Sequence, residues 1–562
     1  MNPKKRCQGN PLLGFLFALL LLLGAGTITS VQEAFAQAPA PAAAPTGDPT
    51  GETSAFANGV ANPLKIDDTL KDVKDPAVKN AFSELYKLHV NERAGINMTW
   101  TLVTGFLVFF MQAGFALVET GFCRAKNAAH TMTMNMMVFC VGVVGWYICG
   151  FAFMFGGFGS TPTLGDTSAL SWASGELSIG GFDIIGTKGF FLSGDFYDVS
   201  ILALFLFQMV FMDTAATIPT GSTSERITWK GFLLMGLWVS MFIYPLVGNW
   251  VWGGGWLADM GVKFGLGHGA VDFAGSGVVH EIGGAVALAG AIAIGPRIGK
   301  YGPNGEVRAI PGHNMPLAIL GTIILYFGWF GFNPGSTLSA TDLRISDVAV
   351  TTMIAGGFGG VAAMFYMWIF EGKPDPGYSV NGILAGLVAI TAPCAFVNPT
   401  QAAIIGVLAG GWVCVAGLFI ERKLKIDDPV GAIAVHFANG AWGLIALGIF
   451  ADGTYGEGWN GVKGRVKGVL AGDGGQLVAQ FIDAITIAVV VGVASFIFFK
   501  IVDAVVGLRV SPDVELAGLD VPEMGIWGYP DPEASFSGGL PAPVRPAPDG
   551  TVAIAQQQQQ QE

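Results

Sequence analysis

Two histidines occupy matching places in this chain. One segment reads Asp272-Phe-Ala-Gly-Ser-Gly-Val-Val279-His280-Glu-Ile-Gly-Gly284. Another reads Asp428-Pro-Val-Gly-Ala-Ile-Ala-Val435-His436-Phe-Ala-Asn-Gly440. In each, Asp precedes His by eight residues, Val comes just before His, and Gly follows four residues later. A pair of buried imidazoles can hydrogen-bond ring to ring and leave a lone pair and a hydrogen facing a passage. Such a pair can handle a small neutral polar molecule or relay a proton. It holds a cation poorly, because loss of water favours the neutral ring. A metal centre needs a third ligand. His280-Glu281 begins like the zinc-protease pattern HExxH, but position 284 is Gly, so neither a metal site nor an enzyme is expected. The bland alternative is two unrelated histidines, each satisfied by a backbone carbonyl. Both Asp residues fall at helix N-termini, where a carboxylate caps free N–H groups. Asp428 reads as structural in this sense, and Asp272 would also make a channel mouth attractive to cations.

The elements that position these residues are membrane spans. The 562 residues are 52% hydrophobic and only 12% charged, against about a quarter charged in soluble domains. Glycine reaches 82 residues, which suits close helix contacts in a bundle. A net charge of −12 excludes a nucleic-acid partner. The six cysteines lack metal-type spacing and read as small core residues. A bilayer core needs about 20 apolar helical residues per crossing. Eleven runs qualify: 98–120, 132–156, 199–219, 229–252, 272–295, 315–334, 346–370, 379–398, 402–420, 430–450 and 476–506. The chain is therefore expected to be an all-α integral membrane protein with eleven transmembrane helices.

The ends read differently. Lys4, Lys5 and Arg6 precede an apolar run at 12–23, and Ala34-Phe35-Ala36 offers a cleavage site. That layout predicts a secretory signal peptide over 1–36, with an uncleaved anchor as the alternative. Residues 37–96 form an external linker and short amphipathic helix, with His89 on its surface. The transmembrane domain spans 97–506, and 507–562 is a cytoplasmic tail. An external N-terminus leaves eleven Lys and Arg in the internal loops and six in the external ones, in agreement with the positive-inside rule. The fifth and tenth spans then run in opposite directions. This predicts an inverted repeat of five spans plus five, with the eleventh added and a substrate site near the midplane. An Asp-to-His rise of about 12 Å from each face places both rings near the centre. Of the six histidines, only His280 and His436 lie deep inside predicted spans, and intramembrane ionisable residues mark functional sites.

Together with 272–280, 427–429 and 435–436, the run Gly328-Trp329-Phe330-Gly331-Phe332-Asn333-Pro334-Gly335-Ser336 resembles the ammonium transporter family (Amt/Mep/Rh). Further matches are Arg124-Ala-Lys126-Asn127, Glu225-Arg226 and Trp252-Gly-Gly-Gly255. The resemblance covers about 97–525. It implies a homotrimer in the inner membrane, N-terminus outside and C-terminus in the cytoplasm, with no cofactor. It implies that Trp252, Ser336 and Phe211 form an external ammonium site, helped by Asp272. Phe211 and Phe332 match a paired aromatic gate, with Phe207 one turn from Phe211. His280 and His436 match the twin histidines of the pore, and Trp329 has a structural place. The implied activity is transport: NH4+ is captured, deprotonated and conducted as NH3, with separate proton transfer. The alternatives are a sensor on the same fold with little conduction, and a Rhesus-type gas channel, which Trp252 and the gate phenylalanines fit less well.

The sequence departs from the family pattern at Glu281, Asp213 and Glu119, which are intramembrane or boundary carboxylates. All three read as hydrogen-bonded at helix contacts, with a place near the permeation path and a role in proton handling as the alternative for Asp213 and Glu281. Residues 507–529 resemble the family's regulatory tail, with Met524 in place of the usual His. The resemblance there implies a PII-type nitrogen-signalling protein as a partner at the cytoplasmic face, in service of nitrogen metabolism.

Overall fold

The computed structural model describes residue 71, residues 73–157, residues 162–164 and residues 175–529. The expected signal peptide, most of the linker and the end of the tail lie outside the described residues. Among those described, ten helices are long and apolar enough to cross a bilayer. They are Pro76–Phe122 (α1), Ala125–Phe155 (α2), Val199–Thr223 (α3), Trp229–Val251 (α4), Ser276–Ile294 (α5), Met315–Thr337 (α6), Ile345–Phe370 (α7), Pro399–Leu424 (α9), Ile433–Phe450 (α10) and Gly474–Val506 (α11). The run expected at 379–398 forms a shorter apolar helix, Pro376–Thr391 (α8). Its regular turns end at Thr391, two residues before Pro393, whose missing N–H cannot continue the helical ladder.

Polar caps set where the helices begin. The side chains of Asp75, Asp198, Thr228, Asn314, Asp375, Asn398 and Asp473 each accept from a first-turn N–H. Proline stands in the first turn of α1, α6, α8 and α9, where its missing N–H costs nothing. At Asn398 the bond is reciprocal: Gln401 accepts from the Asn398 N–H at 2.9 Å.

Small residues set how closely the helices pack. A Cβ on Gly121 would fall 2.7 Å from the Ala318 nitrogen, and one on Gly331 would fall 2.4 Å from the Thr104 oxygen. Glycine is thus required along the seam of α1 with α6. In lipid, such backbone approach supplies the packing that water would otherwise drive. The same device joins α7 to α8 and α9 through Gly386, Gly406 and Gly410.

The structure departs from the sequence reading in several places. The short amphipathic helix expected before residue 97 and the first span are one continuous helix of 47 residues. No proline interrupts it, and Gly95 has open space around it. Cys123, Cys149, Cys394 and Cys414 are buried, but Cys140 is exposed on the outward face of α2. Two further imidazoles are buried: His130, near the start of α2, packs edge-on against Trp229 at 5.6 Å, and His268 lies in the loop before α5 with Nε2 3.1 Å from the Gly464 carbonyl. The loop after α2 carries a two-stranded antiparallel hairpin, Glu176–Ile179 with Phe182–Gly186. The tail forms two short helices, Pro512–Ala517 and Asp520–Met524.

Candidate functional site

The two histidine segments share local structure that goes beyond their spacing. Each enters through a left-handed glycine three residues after the Asp: Gly275 at φ 110° and Gly431 at φ 78°. Only glycine takes such angles without strain. Each then makes a π-helical turn, Ser276–Glu281 and Ile433–Ala438. A π-turn inserts one residue into the helix and re-aims the side chains that follow. The Asp residues act as caps. Asp272 accepts four backbone N–H groups at 2.9 Å: Gly275 and Ser276 on Oδ1, Gly277 and Val278 on Oδ2. Asp428 accepts from the Ile433 N–H at 2.7 Å. Burial pushes the Asp428 carboxyl up to about 6, against the bonds from Ile433 and Ala432.

The matched glycines explain how the two segments meet. A Cβ on Gly284 would lie 2.2 Å from the Phe437 nitrogen, beside His436. One on Gly440 would lie 2.5 Å from the Ser276 oxygen and 2.8 Å from the Glu281 nitrogen. Each glycine admits the backbone of the other segment next to its histidine. His280 and His436 consequently lie ring against ring at 5.3 Å, with Nδ1 to Nδ1 at 3.2 Å. In that contact one ring donates and the other accepts.

Aromatic rings continue the line. Phe332 lies 5.3 Å from His280 and stacks on Phe211 at 4.1 Å. Phe207 lies 4.6 Å from Phe211, and Trp252 lies 6.1 Å from it. Trp329 stacks on His280 at 5.3 Å and is fixed by an N–H bond to Thr391 Oγ1 at 3.0 Å. Beyond the histidines, Phe115 lies 6.2 Å from His436.

A cavity of about 350 Å³ opens on the Trp252 side, lined by Phe207, Gln208, Trp252, Asp272, Ser336 and Trp459. The Trp252 indole N–H donates to the Asp272 carbonyl at 2.7 Å, so the ring is held in place beside the cavity. Ser336 Oγ donates its hydrogen to the Phe332 carbonyl at 2.7 Å. The hydroxyl is therefore oriented as an acceptor toward the cavity. A second cavity of about 200 Å³ lies beyond His436 and is lined by Tyr378, Asn381, Asp428, Val430 and Ala434. The predicted site residues are thus joined by successive contacts from the first cavity through Phe211 and Phe332 to the histidine pair, and Asp428 lines the second cavity. Sequence reasoning missed Gln208, Trp459 and Phe115. Trp459 sits in the loop at 451–475, where no periodicity singles out an inward-facing ring.

The three unusual carboxylates part company. Glu119 is hydrogen-bonded to Thr220 and Asn135, at 2.9 and 2.8 Å. Asp213 and Glu281 are buried, and Asp213 Oδ1 and both Glu281 oxygens have no hydrogen-bond partner in the protein.

On the tail side, a buried ionic cluster ties the loops. Glu225 pairs with Arg124 and with Arg297 at 2.6 Å. Arg297 grips both oxygens of Asp427, at 2.8 and 2.9 Å. Burial opposes the charge on Asp427, but the Arg297 bonds and the nearby Arg226 outweigh it and hold that carboxyl well below the usual range. The tail docks on this cluster. Glu515 accepts from the Ile298 N–H and pairs with Arg509, while Asp520 accepts from the His130 N–H.

The comparisons with known proteins agree with one another. The Ammonium Transporter Family matches residues 99–529. Ammonium transporter Amt2 of Archaeoglobus fulgidus is 47% identical over 446 residues, covering 79% of this chain and 90% of the relative. Ammonium transporter Amt1 of Haloferax mediterranei is 38% identical over 450 residues, covering 78% and 80%. Among solved structures, one described as a sensor Amt protein superposes with a TM-score of 0.67 at 36% identity, covering 77% of this chain and 99% of its own. Mep2 of Candida albicans gives 0.63 at 26% identity, covering 76% and 89%. By its matched length, its relatives and its helical architecture, this multi-pass membrane chain belongs to the ammonium transporter family.

Proposed function

We propose that this chain carries ammonium across the membrane by separating it into ammonia and a proton at the Phe211–Phe332 stack. The observation that carries this reading is the single line of cavity, stacked phenylalanines, histidine pair and second cavity. Trp252 and Ser336 receive NH4+, the indole through its ring face and the hydroxyl as acceptor. Phe211 and Phe332 exclude water and close the path, with Phe207 beside them. A bare ion pays of order 20 kcal/mol to enter a low-dielectric interior, whereas neutral NH3 avoids most of it. K+ has no proton to lose and stops at the stack. His280 and His436 then pass NH3 along by accepting and donating hydrogen bonds. Asp272 acts as a cap that also gives the mouth negative character.

The finer architecture follows the same reading. Eleven spans form a repeat of five plus five with one added, and three copies assemble. The Trp252 side faces outward, and the tail lies in the cytoplasm beneath the inner membrane. A leader at 1–36 is removed, and a PII-type protein binds the tail side. Pull-down with the cognate PII protein, with and without nucleotide, tests that partner; no complex under any condition removes it.

Current recording and ammonia uptake in reconstituted vesicles test the main reading. Ammonium-selective uptake that K+ does not share is expected. The likeness to a chain described as a sensor supports a second reading, in which ammonium binds at Trp252 and Ser336 with little passage. Binding without uptake would favour it.

A further inference from the structure

Five rings line the cavity on the Trp252 side: Phe155, Phe207, Trp252, Phe273 and Trp459. At about 350 Å³ the space exceeds what an ammonium ion needs, since a water of similar size takes roughly 30 Å³ in the liquid. Asp272 also lines it, as does Gln208, whose Oε1 has no hydrogen-bond partner in the protein. Beyond the cavity the way is narrow. Phe207 rests on Phe211, and Phe211 stacks on Phe332 at 4.1 Å, so the rings there leave no passage for a wide cation.

Trp459 comes from the loop between α10 and α11, and that loop is fastened so as to hold it. Asn460 has a left-handed backbone at φ 51°, which few residues other than glycine adopt. Its side-chain amide donates to the His268 and Ala270 carbonyls, at 2.9 Å each. His268 Nε2 in turn lies 3.1 Å from the Gly464 carbonyl. The Trp459 ring rests against Phe273 at 6.2 Å and edge-on against Phe396 at 5.4 Å. The two tryptophans of the cavity are thus tied to one short segment. Trp252 bonds to the Asp272 carbonyl, and the neighbour of Trp459 bonds to the Ala270 carbonyl.

Several aromatic walls around one space suit quaternary ammonium cations. The rings attract the charge through their quadrupoles, and the methyl groups leave water for an apolar surface. We infer that the mouth is an aromatic cage for small quaternary ammonium cations, with Trp459 as one wall, and that such a cation binds there without passing. It has no N–H bond to break and hence no neutral form, and a bare charge does not enter the low-dielectric line beyond the stack. It therefore occupies the place where ammonium is captured and blocks it. The blockage rests on the transport reading above; the inference adds Trp459 and a second class of ligand to the same mouth.

Tetramethylammonium is the probe, and tert-butanol, a neutral molecule of similar shape, is the control. Titration calorimetry on the full chain in lipid nanodiscs is expected to show one saturable site per chain for tetramethylammonium, displaced by ammonium, and none for tert-butanol. Trp459→Ala and Trp459→Leu are expected to weaken that binding about twofold to thirtyfold, while Trp459→Phe, which keeps an aromatic face, retains most of it. Absence of binding overturns the proposal, as does equal binding of tert-butanol or an affinity unchanged in Trp459→Ala. An equal loss in Trp459→Phe and Trp459→Ala marks a packing role and overturns it too. Should these variants not insert, Asn460→Ala, which keeps the ring and frees its loop, carries the same expectation, and unchanged affinity there overturns the proposal. In vesicles, tetramethylammonium on the Trp252 side is expected to raise the half-saturating ammonium concentration and leave the maximal rate unchanged; ammonium uptake that it does not affect overturns the proposal. Failure of the unmodified protein to take up ammonium selectively overturns the transport reading instead, because the calorimetry does not depend on passage.

Discussion

The Nδ1 atoms of His280 and His436 face each other at 3.2 Å, although the residues are 156 positions apart in sequence. Only one proton fits between them, so the rings hold complementary tautomers. Replacing either by alanine removes a bond worth about 1 to 1.5 kcal/mol and widens the line. Selectivity for ammonium over K+ is expected to fall about tenfold in His280→Ala and His436→Ala. Competition uptake in vesicles checks this, and unchanged selectivity would count against the conduction reading.

The mouth makes a separate prediction. Trp252 offers a ring face and Ser336 an oriented acceptor, so both contribute to capture rather than passage. A cation over an aromatic face is worth about 0.5 to 2 kcal/mol. Trp252→Leu and Ser336→Ala are expected to raise the half-saturating ammonium concentration by about twofold to thirtyfold. The maximal rate should change less. Concentration series of uptake separate the two effects.

Gly284 and Gly440 should tolerate no side chain. Each admits a backbone segment beside the opposing histidine, and a methyl group there meets backbone atoms that cannot yield locally. Overpacking of this kind costs about 1 to 3 kcal/mol and would move the rings apart. Gly440→Ala is expected to lower thermal stability and uptake together. Gly411→Ala, which meets open space, serves as the control and should change neither.

The Arg297–Asp427 pair predicts an acid dependence. The Asp427 carboxyl is held below its unfolded value, so its stabilisation is fully present above the unfolded pKa of about 3.9. It is lost progressively as pH falls from there toward the folded value. Breaking a buried pair costs about 3 to 5 kcal/mol, so Asp427→Asn is expected to melt well below the unmodified protein at pH 7. The gap should narrow on acidification toward pH 3. Melting curves in detergent at several pH values would reveal an unchanged gap if the pair contributes nothing.

The spans, the matched Asp-to-His spacing and the glycine after each histidine were legible in the sequence, because hydropathy and helical period are local and write themselves into each segment. The π-turns that aim the rings were not legible, though Gly275 and Gly431 stood at matched places as a sign of them. The stacking of Phe211 on Phe332 and the entry of Trp459 into the mouth were decided only by tertiary packing. These contacts join helices distant along the chain, and periodicity says which face of a helix is apolar without saying what it meets. The same reason made the first helix longer than expected. Its outer and inner halves carry different patterns, yet nothing in the backbone between them favours a break.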